Sequence, residues 1–167
     1  MTRNDSPAAL SRVDFYVLAR ARTEDKHAYA CRIADKAHAR GMTVFMRAED
    51  DAQSESLDKL LWTFSQGSFV PHIRCAAVSN EDAGADDSAN DDAIYPVRIG
   101  SHAPSRAADL LISLTREAPA DYARFARVAD LILDHADDKA AGRARFRFYR
   151  EQGIAPNTHN IADPAAR

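Results

Sequence analysis

The chain has 167 residues, 46% of them hydrophobic and 28% charged, with a formal charge of -3. That length supports one well-filled core. The charge leaves the whole molecule without a basic field to draw in DNA, so any work on nucleic acid runs through a local patch or another protein.

The opening MTRNDSPAAL lacks the apolar run of a signal peptide, and nowhere do about 18 apolar residues follow one another to span a membrane. Residues 1–10 read as a frayed extension. Val13 to Leu18, VDFYVL, is an apolar run interrupted by Asp14 and is expected to be a buried strand. Thr23 is the expected N-cap of a helix with Glu24 and Asp25 in its first turn. Ala30, Ile33, Ala34 and Ala37 line one face of that helix, and Gly41 ends it. Thr43 to Met46 is a second strand, and Asp50 or Asp51 caps the next helix. The order β-α-β-α, with crossovers long enough for parallel strands, predicts a doubly wound α/β sheet.

Leu57, Leu60 and Leu61 form the buried stripe of the second helix, while Trp62 is rotated about 100° off it. Ser65 to Ser68 breaks the helix, and Phe69, Val70 and Pro71 follow at once. The chain's single Trp, a Phe and a Pro thus gather around one turn. Two readings are open: a hydrophobic cap over the core, or an exposed patch that receives another protein.

Residues 79–93 are acidic and rich in Ala, Ser and Gly, with no apolar anchor, and are expected to be a flexible inserted loop. Tyr95 to Ile99 resumes a sheet pattern, and Leu110 to Leu114, LLISL, is expected to be a central strand. Between Tyr122 and Leu133 helix and strand patterns compete. Asp137 to Gln152 is a helix with two acids at its start and Gly153 at its stop. Lys139, Arg143, Arg147 and Arg150 share one face, with Phe146 on its margin. Ala141, Ala144 and Phe148 are expected against the sheet, with Tyr149 on a flank. This basic stripe is open to three readings: a solvated face, a phosphate-tracking patch, or a receptor for an acidic peptide.

Catalytic chemistry is missing from the pattern. The loop after the first strand, ARARTEDK, has no glycine to cradle a phosphate. No GxSxG or HExxH occurs, and the six histidines are scattered without ligand spacing. Cys31 and Cys75 stand in unlike contexts and form no CxxC, which argues against a disulfide framework or a Zn site and fits a reducing cytoplasm. Asp14 reads as a hydrogen-bonded structural carboxylate rather than a catalytic one.

These stretches together resemble the chi subunit family of bacterial DNA polymerase III, an accessory protein of the clamp-loader assembly. The likeness runs from VDFYVL to NTH at Asn157. It is carried by LDKLLW and SFVPH, by DLLISL at Asp109 to Leu114, and by GRARFRFYREQG at Gly142 to Gly153; the acidic loop and the N-terminal extension depart from the pattern. The resemblance implies a three-layer α/β/α, Rossmann-like, mostly parallel open sheet without a nucleotide-binding loop. It implies one domain over 1–161 with a flexible loop at 80–92, a disordered tail at 162–167, and a strand near Val128 to Leu133 leading into the basic helix.

The function it implies is a non-catalytic cytoplasmic adaptor with no cofactor, no metal and no membrane contact, touching DNA mainly indirectly. One implied partner is the acidic C-terminal tail of single-stranded DNA-binding protein, on Lys139, Arg143, Phe146 and Arg147 with Ile132 as an apolar wall. The other is the psi subunit of the clamp loader or a helicase, on Trp62, Phe69, Val70 and Pro71. The alternatives are a direct single-stranded nucleic-acid-binding module, or an adaptor for a repair helicase that uses the psi-like surface.

Overall fold

The computed structural model describes residues 10–20, 22–75 and 95–162. The expected extension at 1–9, the acidic loop at 80–92 and the tail from 163 onwards lie outside the described residues. The elements in chain order are β1 (Arg12–Leu18), α1 (Thr23–Ala39), β2 (Val44–Arg47), α2 (Asp51–Thr63), β3 (His72–Arg74), β4 (Val97–Gly100), β5 (Leu110–Ser113), a 3-10 turn (Tyr122–Arg124), β6 (Arg127–Ile132), α3 (Ala136–Glu151) and β7 (Asn157–Ile161). Seven strands form one sheet in the order β3-β4-β2-β5-β6-β1-β7, and every pairing is parallel.

A parallel sheet is covered on both faces, so its inner strands are buried along their whole length. All four residues of β2 and of β5 are buried, which explains the unbroken apolar runs. Leu110 to Ser113 is the fourth of the seven strands, as its sequence predicts. The helices α1 and α2 cover one face with Ala30, Ala34, Leu57 and Leu61, and α3 covers the other with Tyr149 and Phe146. Small side chains on α1 let it lie close to the sheet. Cys31 is among them, and burial pushes its thiol up to about 12, so it is an inert filler rather than a nucleophile.

Asp50 caps α2, its carboxylate accepting the Gln53 N–H at 2.8 Å. The expected cap at Thr23 is not formed. Arg22 holds the extended cap position, its carbonyl takes the Asp25 N–H at 3.1 Å, and Thr23 becomes the first helical residue. Gly41 closes α1 at φ +74°, where the Met42 N–H reaches back to the Ala37 carbonyl at 3.0 Å. The ambiguous stretch divides into the 3-10 turn and strand β6.

Asp14 is buried in β1 and accepts from Arg12 Nε at 2.8 Å, His159 Nε2 at 2.9 Å and Arg127 Nη2 at 3.4 Å. Burial raises its carboxyl, but these three donors outweigh that and hold it below the ordinary value of 3.8. A folded value below the unfolded one contributes stability above the unfolded value, and that stability is lost as pH falls through the folded value. Asp14→Asn should therefore lose about 1–3 kcal/mol at neutral pH. Its unfolding free energy should also fall less steeply than that of the native chain below about pH 4. Urea unfolding across that range checks this, and parallel acid limbs would contradict it.

Candidate functional site

The basic helix is fixed at its start and underneath. At its start, Asp138 accepts the Leu133 N–H at 2.6 Å and the Lys26 ammonium at 3.2 Å, while Arg116 grips Asp137 at 3.0 and 3.1 Å. Beneath it, Arg145 forms a bidentate pair with Asp130 of β6, both bonds 2.8 Å, and also donates to the Arg116 carbonyl at 3.0 Å. A Cβ on Gly142 would fall 2.4 Å from Ile132 Cδ1, so the missing side chain lets α3 settle onto β6. The sheet-facing side of α3 is thus Ala141, Gly142, Arg145 and Tyr149, which corrects the expected set. Ala144 is exposed and Phe148 half-buried, because Arg145 has a buried partner that draws it inward.

The opposite side presents Arg143, Arg147 and Arg150, all exposed and without an ion pair among the described residues. With Phe146 and Glu151 they line a shallow depression. Phe146 is half-buried, its ring 5.3 Å from that of Phe15, so one edge is anchored in the core. Of the five residues expected to form the tail site, Arg143, Phe146 and Arg147 come together here. Lys139 sits one turn earlier and pairs with Asp134. Ile132 is 7% exposed beneath Gly142, so its side chain supports the helix and offers almost no wall of its own.

The second expected surface lies at the far end of α2. Trp62 is 57% exposed and Phe69 65%, with ring centroids 5.6 Å apart. His72 is buried against Trp62 at 4.8 Å, its Nδ1 hydrogen-bonded to the Val70 carbonyl at 2.7 Å and its Nε2 3.1 Å from Asp58. Val70 is a correction: at 1% exposure it belongs to the core, because Gly67 turns the chain so that Val70 points in and Phe69 out. Pro71 is half-buried, and Ile73 on edge strand β3 is exposed though its sequence context did not single it out.

The family model for the DNA polymerase III chi subunit, HolC, matches residues 10–157. The chain belongs to the DNA polymerase III chi subunit family. Over 153 residues this chi-family chain is 39% identical to DNA polymerase III subunit chi of Pseudomonas aeruginosa, covering 91% of the chain and 98% of that relative. It is 34% identical over 131 residues to the Escherichia coli K12 protein of the same name, covering 77% and 80%. Membership places it as an accessory subunit of DNA polymerase III in DNA replication. Among solved structures, S. cerevisiae Dbp5 bound to RNA and ADP BeF3 superposes with a TM-score of 0.59 at 9% identity, over 89% of this chain and 41% of that one. The Dbp5 C-terminal domain bound to Gle1 and IP6 gives 0.54 at 11%, over 90% of each chain. At such identity these show the α/β fold alone. Among the described residues of the chi-family chain no helix is long and apolar enough to cross a membrane.

Sequence reasoning missed the inward turn of Arg145 and the supporting role of Arg116. The sequence holds half of the signal for the first: Asp130 interrupts an apolar strand pattern and needs a cation, but nothing in it singles out Arg145.

Proposed function

We propose that this chain is a non-catalytic adaptor that holds the acidic C-terminal tail of single-stranded DNA-binding protein on α3 and the clamp loader on the Trp62 surface. The observation that carries the reading is the row of three exposed, unpaired guanidinium groups beside a half-buried ring. Guanidinium forks match carboxylates bidentately, and Phe146 offers an apolar edge to the tail's aromatic residue. Lys139 exchanges Asp134 for a carboxylate of the tail. Each exposed ion pair contributes about 0.2–1 kcal/mol, so several must act together with the ring. A micromolar affinity, about 8 kcal/mol, suits this set. It weakens as salt shortens the Debye length of about 8 Å. Many tails on coated DNA supply avidity, and each contact can still release as the replisome moves.

Trp62 and Phe69 are the natural docking points for psi or for a helicase, because large exposed rings beside each other dominate binding energy. Neither surface needs a covalent step. Titrating a tail peptide against Arg143→Ala tests the reading: affinity should fall about two- to fivefold, and an unchanged affinity removes α3 from the mechanism.

A further inference from the structure

The helix α1 packs across β2, β5 and β6, leaving its outer flank to overhang β1 and β7. Along that flank run two depressions, of 240 and 210 Å³, which share Tyr29 and Arg32. The first begins beside Leu18, Asp25 and Ile161; the second continues past Tyr16 and Lys36 to Arg40 and Arg127. Joined, they make a trough that follows α1 from Asp25 to Arg40, about 22 Å at about 1.5 Å per residue.

Its wall and floor carry different chemistry. Arg32, Lys36 and Arg40 recur at every fourth residue, about 6 Å apart along the axis. All three are exposed and none forms an ion pair among the described residues. The floor is aromatic: Tyr16 lies 5.8 Å from Tyr29 and stacks on His159 at 5.1 Å and 22°. Asp25 is the carboxylate that lines the trough, and Arg22 stands 3.4 Å from it. Asp14, below the floor, is enclosed by Arg12, Arg127 and His159, and the two guanidinium groups more than offset its charge.

We propose that this trough binds a short run of single-stranded DNA, about four nucleotides, with phosphates along α1 and bases over the tyrosines. Cations in single file track one phosphate backbone. Flat rings receive bases of any sequence. The stacked rings of the floor, Tyr16 against His159 and beside Tyr29, favour bases, which lie flat on such faces, over the carboxylates of an acidic peptide. The trough lies on the sheet face opposite α3, so DNA and an acidic tail can be held at once. The local patch overcomes a net charge of -3 over a short range.

Fluorescence anisotropy of a labelled oligothymidylate at low salt tests this with the full chain. The native chain should bind. The triple variant Arg32→Ala, Lys36→Ala, Arg40→Ala, whose side chains are exposed, should bind at least about tenfold more weakly, with the slope of log affinity against log salt reduced by about 2. Tyr29→Ala should weaken binding with the slope unchanged. Binding of the acidic tail peptide should be the same in the triple variant as in the native chain. The proposal is overturned if the native chain leaves the oligonucleotide free, if the triple variant binds it as well as the native chain does, or if the triple variant loses the tail peptide instead.

Discussion

Replacing Arg145 with Ala should lower the unfolding free energy by about 3–5 kcal/mol, the cost of stranding one partner of a buried ion pair. Asp130 is fully buried, and Arg145 satisfies both its oxygens at 2.8 Å. Burial raises the Asp130 carboxyl above its ordinary range, and the guanidinium offsets part of that rise. Without it the carboxyl rises further. A folded value above the unfolded one favours the fold below the unfolded value and disfavours it as pH climbs through the folded value. The variant should therefore lose more stability at neutral pH than near pH 4. Replacing both partners with apolar residues of matched volume should restore most of the loss. Urea unfolding measures both variants, and an Arg145→Ala midpoint equal to the native one would contradict this. The same variant should also loosen α3 on the sheet and so weaken whatever α3 binds.

The second large effect is expected at the opposite end of the molecule. Phe69→Ala should weaken capture of psi, or of a helicase, by about 2 kcal/mol or more, roughly thirtyfold in Kd. Its ring is 65% exposed, so the unfolding midpoint should move little. Val70→Ala is the contrasting variant. Val70 is packed among the α1 and α2 core residues, and its truncation should cost stability of about 1–3 kcal/mol, with little change in capture by the protein that still folds. Titration of purified psi or helicase, beside thermal unfolding, separates the two. If Phe69→Ala captures every such partner as well as the native chain, Trp62 and Phe69 are a cap on the core and nothing more.

The inner strands were readable because a parallel sheet demands continuous apolar runs, and VDFYVL and LLISL supply them; the edge strands β3 and β7 carry no such run and were not read as strands. Asp50 and Gly41 were readable as helix ends because capping has a short-range chemistry. Arg145 was not. As one of four arginines from Arg143 to Arg150 it looks solvent-facing until Asp130, fifteen positions earlier on another element, is brought beneath it. Val70 and Phe69 differ in direction by one residue in a loop, where no periodicity tells inside from outside. The cation wall of the trough, Arg32, Lys36 and Arg40, recurs at helical spacing but was not read from the sequence, and its aromatic floor joins three separate elements and exists only once they are folded together.

The most direct measurement is capture by the immobilised native chain of full-length single-stranded DNA-binding protein, beside a version lacking its last residues. Capture of the first, falling as salt rises, and loss of the second are expected. Equal capture of both would contradict this.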